Sequence, residues 1–496
     1  MQNNESVMSV RHPDYDATID AVLTVRDCIE GSNAIKNGDR ADEYLPNPSD
    51  STPRGAQEIS EAAATYNKYK MRAEYDGFPE RTESGLLGSL NSAPPVFDDF
   101  PAEIDYLIDD SDGNNLPLSE AVEIIQSNLL AVKFHGLLAD FNGVDQLDSE
   151  GNVRQLTAGE SQALGFKATI KHYPRESIID WDYGLVNGKN QLRYIKVAES
   201  KSSIDPQTLR RTLMHNQLVL ALDEDGFYYQ QLIESTEKEE VVGERIYPQM
   251  HNKKMDFIPF NFCVDQKNKS ASVPKQLGIL YPICLKALSR YQVSADLKES
   301  MHLQAQPQRH TSGWDQQKFS LYEEMNKEGH KTGSSNIQNY PDGVTLGLLQ
   351  YNVEGDAMFE YLRENEKQVR ALGGQFDTSE ADNQAVGIAK LRSEETLSAL
   401  TNIQTSAEAS LTQVSIWCYW YMSDKTDEPE LNISLNKEFN KIKLTAQEQQ
   451  AIANNLMQGV IDHEEALRQL EQGGVLTTDA ETLLNRMNFG GGDVND

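Results

Sequence analysis

The chain has 496 residues and a mass of about 55.6 kDa, room for two to four domains. With 38% hydrophobic residues, a mean hydropathy of -0.58 and no run near the ~18 apolar residues of a membrane span, it can bury a core but excludes a helical membrane protein. Lys and Arg number 45 against 77 Asp and Glu, a net charge of -32, the reverse of the balance that a phosphate-neutralising nucleic-acid binder carries. The opening MQNNESVMSV lacks the basic and apolar regions of a secretory signal. Cys28, Cys263, Cys284 and Cys418 lie far apart without a C-x-x-C, which predicts neither a disulfide framework nor a zinc site and fits a reducing compartment.

The N-terminal third reads as helices separated by loops. Ile19, Val22, Leu23, Arg26 and Ile29 predict a helix with one mostly apolar face, stopped by Gly31. After a loop over 37–53, a second helix is expected over about 57–75, burying Ile59, Ala62, Ala63 and Tyr66. Residues 91–150 hold thirteen Asp or Glu against Lys133, and within them Ser119 is the expected cap of a helix burying Val122, Ile125, Leu129 and Val132. The β-rich part is expected over about 166–265. Strands are read at 168–173, 177–181, 218–222, 227–233 and 257–264. An Asn187-Gly188 hairpin returns through Leu192, Tyr194, Ile195 and Val197.

From Pro274 the pattern turns helical. Pro282, Leu285, Leu288, Tyr291, Ala295 and Leu297 predict a helix to about 303, a polar stretch over 304–355 predicts a small α/β insertion, and a helix over 356–372 stops at Gly373-Gly374. One long helix is expected over 386–422, with Ala389, Leu397, Leu400, Ile403, Ala407, Leu411, Val414 and Cys418 on its buried face. Capping boxes at Thr445-x-x-Glu448 and Thr478-x-x-Glu481, with the variant Asp462-x-x-Glu465, mark short C-terminal helices, the first two closed by Gly459 and by Gly473-Gly474.

The sharpest enzymatic pattern is Asp180 or Asp182 followed on the next strand by Glu199-Ser200-Lys201, the acid-and-Glu-x-Lys arrangement of metal-dependent nucleases. The spacing is permissive and Glu-x-Lys is common in an acidic chain, so a solvated strand end is the expected reading, and no phosphate-cradling, nucleophile-elbow or H-E-x-x-H motif accompanies the residues. His463 is expected on the surface, and Trp417-Cys418-Tyr419-Trp420-Tyr421 as a core or interface anchor rather than a base-stacking platform. Arg363, Lys367 and Arg370 stand at i, i+4 and i+7, one helix face. They read either as a solvated face, partly paired through Glu366, or as a basic stripe facing a polyanion.

The order of several segments resembles the portal proteins of tailed phages, and more narrowly a portal-like family. These are HPDYDATIDAVLTVRDCIEG with the later EYLPNPS, then YKMRAEYDGFPERTESGLLGSLNSAPP and YPRESIIDWDYGLVNGKNQLRYIKVAE. LYPICLKALSRYQVSADLKESMHLQAQPQ and GDAMFEYLRENEKQVRALGGQF with the long helix behind it complete the set, spread over about 12–423. The 91–150 and 304–350 segments depart from the pattern. The resemblance implies an α+β, mostly helical subunit of a ring of about twelve at the capsid vertex, through which double-stranded DNA is packaged and ejected. Residues 1–273 would be the wing, 274–303 the first stem helix, 304–355 the clip and 356–372 the second stem helix. Residues 373–385 would be a tunnel loop, 386–433 a long wing helix with the link behind it, and 434–496 the crown and a flexible tail.

The implied partners are the large terminase, a head-completion or tail adaptor protein, and the major capsid and scaffolding proteins, with no membrane and no cofactor. The implied location is the virion, assembled in the host cytoplasm. DNA-channel candidates are Arg363, Lys367 and Arg370 with Gln375, Phe376, Asp377, Glu380 and Asp382 of the loop. Docking candidates on the clip are Trp314, Phe319 and Tyr322. No enzymatic activity is expected. The alternatives are a metal-dependent nuclease with a helical oligomerisation domain, or a capsid scaffold that never touches DNA.

Overall fold

The computed structural model describes residues 7–48, 56–142, 146–147, 153–154, 165–186, 188–204, 208–235, 240–250, 253–264, 277–305, 308–325, 340–349, 355–372, 383–423, 425, 427–437, 439 and 446–472. They form a mixed α+β fold with two main cores, one helical and one between sheets, and a small third cluster of Val219, Ala221, Tyr229 and Ile233.

Helix α1 (Ile19–Glu30) ends at Gly31, whose φ of +96° few side chains tolerate. It buries Val22, Val25 and Cys28, a face turned from the expected one. Arg26 instead leaves the core to bond Glu176 at 3.0 Å and Asn128 at 2.5 Å. In helix α2 (Ala56–Arg72) Tyr66 packs half-buried against the core as expected, Ala63 is exposed, and Tyr69, one turn on, is buried with its hydroxyl donating to Asp296 at 2.6 Å; the side chains of Ile59 and Ala62 lie outside the described ones. Then come α3 (Phe78–Leu90) and strand β1 (Val96–Asp98).

Helix α4 (Leu118–Val132) starts behind Pro117, whose carbonyl accepts from the amides of Glu120 and Ala121, so Ser119 lies inside the first turn and is not the cap. Val122, Ile125, Leu129 and Val132 are buried as expected.

Lys133, at φ +56°, closes α4 and turns the chain into β2 (Phe134–Phe141), a strand outside the expected β-rich interval. It is the centre of a three-stranded antiparallel sheet with β3 (Ala168–Pro174) and the later β9. Its run is buried on both faces and lacks period-two alternation, which hides it from a pattern reading. A second antiparallel sheet follows the chain: β4 (Ile178–Val186), β5 (Lys189–Ile204), β6 (Arg211–Leu222), β7 (Tyr228–Ser235) and β8 (Glu240–Val242), each beside the next. Gly188, at φ +80°, makes the expected hairpin turn. Strand β9 (Phe260–Val264) returns to β2. Phe134, Tyr173, Trp181, Ile195, Leu220 and Phe260 join the two sheets in one core.

Helix α5 (Leu280–Gln304) opens the second half, followed by β10 (Gln308–Ser312), α6 (Gln316–Met325), β11 (Thr345–Leu349) and α7 (Asp356–Leu372). Helix α8 (Asn383–Met422), 40 residues long, spans about 60 Å. Leu400, Ile403, Ala407, Leu411, Val414 and Cys418 seat it in the helical core beside α1, α3, α4 and α5. Gln404, fully buried there, donates to the carbonyls of Leu90 and Asn436 and accepts from Gln126, each at 2.9 Å. Those bonds satisfy an otherwise costly amide.

The aromatic run closes the same helix as an anchor. Trp417 lies 5.8 Å from Phe257, and Tyr421 stacks on Phe141 at 5.9 Å. Strand β12 (Asn432–Ser434) pairs with β1. The C-terminal pair α9 (Ala446–Met457) and α10 (His463–Gln472) carries the Asp462 cap, which accepts from the Glu465 amide at 2.8 Å, and His463 is exposed. Thr445 and the Thr478 box lie outside the described residues.

Candidate functional site: a helical hairpin carrying a small module

Helix α5 has two halves of different character. Leu280, Ile283, Cys284, Leu288, Tyr291 and Ala295 sit in the helical core, and its buried positions end at Leu297. Leu285, expected on the buried face, is 47% exposed. Gly278 sets the entry: its amide donates to the Ala131 carbonyl at 3.1 Å, and a Cβ there would lie 1.9 Å from the Leu130 carbonyl oxygen. The outer half carries acids and bases that tie it to α2 and the turn beyond. Glu299 pairs with Arg72, and Lys298 with Glu74.

Helix α7 returns along α5 and buries Asn365 and Val369. Its contacts are polar. The Ser289 and Tyr361 hydroxyls share a hydrogen bond at 2.7 Å, and Asn365 donates to the Lys286 carbonyl at 3.4 Å. Arg290, with 17% of its side chain exposed, donates to the Asp76 carboxylate and the Leu362 carbonyl and lies 3.9 Å from Glu366. With Arg81, Phe78 and Arg370 these groups line a pocket of about 290 Å³ between α3, α5 and α7. The sequence carries no signal for this network, because Arg290 is 72 residues from Leu362 and 214 from Asp76.

Arg363, Lys367 and Arg370 are all exposed and lie on the face of α7 opposite Asn365 and Val369. Arg370 pairs with Glu366 at 2.8 Å, whereas Arg363 and Lys367 enter no ion pair among the described residues. The structure keeps Arg363 and Lys367 together on the outer face, while Arg370 is drawn towards Glu366 and the pocket. Gln375, Phe376, Asp377, Glu380 and Asp382 lie outside the described residues.

Between the two helices sits the expected small α/β insertion. Strands β10 and β11 pair in antiparallel register from Gln308↔Leu349 to Ser312↔Thr345, and α6 lies between them in sequence. Trp314 packs against Phe319 at 5.9 Å, Tyr322 at 5.3 Å and Tyr340 at 6.5 Å, and its indole donates to Thr311 at 2.8 Å. Trp314 and Tyr322 therefore hold the module together and are not free anchors. Phe319 is 52% exposed. Leu321, Met325, Leu346 and Leu348, which the sequence reading passed over, are exposed beside it.

The nuclease-like residues do not converge. Asp182 pairs with Arg193 on the neighbouring strand, and Asp180 turns back to accept from the Trp181 amide at 3.0 Å. Glu199 accepts from the Tyr173 hydroxyl at 2.7 Å, five positions along β5 from the residue opposite Asp182, or about 17 Å. Among the described residues no cluster of three or more His, Cys, Asp or Glu is arranged to hold a metal ion. None of the described helices is long and apolar enough to cross a membrane.

A family described as "Domain of unknown function (DUF4055)" matches residues 280–422, which begin at the first residue of α5 and end at the last of α8. No curated protein matches. Among solved structures, the chain is similar to one titled "Neck of native GTA particle computed with C12 symmetry", at TM-score 0.38 and 9% identity over 81% of this chain and 91% of that one. It is similar too to "Neck of empty GTA particle computed with C6 symmetry", at TM-score 0.39 and 10% identity over 85% and 94%. A third, "Virion of native gene transfer agent (GTA) particle", gives TM-score 0.40 and 11% identity over 85% and 94%.

Proposed function

We propose that this chain is the subunit of a phage portal ring, the vertex channel for packaging and ejecting double-stranded DNA. The observation that carries the reading is the α5–insertion–α7 hairpin. One helix leaves the core, a self-packed module caps it, and a weakly buried helix returns with Arg363 and Lys367 exposed on its outer face. In this reading α5 and α7 are the stem and the β10–α6–β11 module is the clip that meets the large terminase and then a tail adaptor; of the tunnel loop expected over 373–385, residues 383–385 belong to α8 instead, and 373–382 lie outside the described residues. The resemblance of the ordered segments supports the same assignment.

Acidity then has a use. Twelve copies would carry roughly -400 in formal charge, so the channel wall repels the duplex and leaves few phosphate-binding wells, since adhesion grows with the phosphates neutralised. The free stripe of Arg363 and Lys367 centres the duplex against that repulsion. The test is the mass and shape of the purified protein in solution. A closed ring of about twelve around an open channel is expected, and a monomer or dimer overturns the reading in favour of the nuclease alternative. That alternative itself requires DNA cleavage with Mg²⁺ that disappears in Glu199→Ala.

A further inference from the structure

The β5–β6 hairpin runs beyond the sheet that contains it. β4 pairs with β5 as far as Val197, and β7 with β6 as far as Gln217. Residues 199–204 and 211–216 then continue as six pairs that meet no third strand among the described residues. Six residues make an arm about 20 Å long. Ser200, Ser202 and Ile204 on one strand and Arg211 and His215 on the other are exposed.

A two-stranded ribbon is marginal in water, and this one, with three serines on one strand, has little core of its own. Its end carries two apolar side chains in water, Ile204 at 53% and Leu209 at 79% exposed, the latter held at φ +53°. Beside them Arg210 and Arg211 are exposed and in no ion pair among the described residues. An arm end that is apolar and basic, on a chain of net charge -32, is shaped for an acidic protein surface.

Such a surface exists on the same chain. The small β1–β12 sheet exposes Val96, with Asp98 and Asp99 at the end of β1 and Asp427, Glu428 and Glu430 just ahead of β12, all exposed.

We propose that this arm docks on a second copy of the chain, with Arg210 and Arg211 against the acids around β1–β12 and Ile204 and Leu209 over Val96. The inference rests on the ring reading only in requiring that copies associate. Duplex DNA is the weaker candidate, because two arginines flanked by exposed Ile and Leu offer few phosphate contacts and an apolar end that a sugar–phosphate backbone does not bury.

The experiment measures the assembly state of the full-length protein against concentration by sedimentation velocity and mass photometry, with circular dichroism to check folding. Arg210→Glu with Arg211→Glu should raise the concentration for half-assembly about tenfold or more. Adding Asp98→Lys, Asp99→Lys and Glu430→Lys to that variant should restore assembly. Leu209→Ser should weaken assembly with unchanged salt dependence. An arginine variant that assembles like wild type overturns the arm while leaving the ring intact, and so does one with normal assembly but lost duplex binding. A defect that the acidic reversals fail to repair overturns the assigned surface. Wild-type protein that stays monomeric at every concentration overturns both readings.

Discussion

Arg290 is the strongest single tie between α7 and the body, and replacing it should release that helix without unfolding the rest. Its guanidinium serves the Asp76 carboxylate, the Leu362 carbonyl and, at 3.9 Å, Glu366. Hydrogen bonds to a charged group contribute about 1.5–3 kcal/mol each, and leaving Asp76 without its partner adds to the loss. Glu366 is 34% exposed, so water screens that arm of the network and its share is small. The Asp76 bond ties α5 to the turn before α3, so the share that holds α7 is the Leu362 bond with a small screened contribution from Glu366, and Arg290→Met should cost α7 docking about 1.5–3 kcal/mol.

The loss falls locally. Apart from Asn365 and Val369, α7 buries no residue, so its docking has little else to lose. Amide hydrogen exchange reads this directly. Protection along 356–372 should fall by about ten- to a hundredfold while β5 and β6 exchange as in wild type. The exposed control Arg363→Met should change neither. Unchanged protection of α7, or an equal loss in the sheet, would refute the account.

His135 and His172 face each other, Nε2 to Nδ1 at 3.0 Å, and burial holds both below their ordinary 6.5, His172 at about 4. The unfolded chain takes up those protons first, so their stability contribution is full above pH 6.5 and is lost as pH falls through about 4. That is worth about 2–3 kcal/mol for His172, and urea midpoints at pH 7 and 4.5 should converge in His172→Gln. Gly278→Ala places a methyl group against the Leu130 carbonyl at the entry of α5 and should cost at least about 3 kcal/mol, seen as a collapse of the soluble fraction. Trp314→Ala should open 308–349 to proteolysis, whereas Phe319→Ala should leave it resistant and weaken capture of terminase. Arg363→Gln with Lys367→Gln should leave ring assembly intact and lower the salt dependence of duplex retention; identical salt slopes would make the stripe an ordinary solvated face.

Much of the architecture was legible where periodicity is strong. The insertion between two helices, the bounds of α7 and the buried seam of α8 follow from apolar spacing and from Gly and Pro punctuation. The misses have physical causes. The strand β2 is buried on both faces, so its residues do not alternate. The face of α1 turned because Arg26 found polar partners across the fold, and Ala63 and Leu285 are single apolar residues on the solvent side of helices whose opposite faces carry the core. At the candidate site, the stripe was readable because three residues on one helix define a face. The Arg290–Asp76–Glu366 network was not, since long-range ion pairs leave no local pattern.

The difference between the two hairpin helices carries a mechanical consequence. Helix α5 is committed to the core over half its length and is clamped further out through Arg72–Glu299 and Lys298–Glu74. Helix α7 is held mainly by polar bonds, those of Arg290, Tyr361 and Asn365, with Val369 as its one buried apolar side chain. Displacing α7 would expose only two buried side chains, whereas displacing α5 would open the helical core. In the proposed ring, force applied to the β10–α6–β11 module would therefore be borne by α5 and yielded to by α7, and would be felt first along the face that carries Arg363 and Lys367.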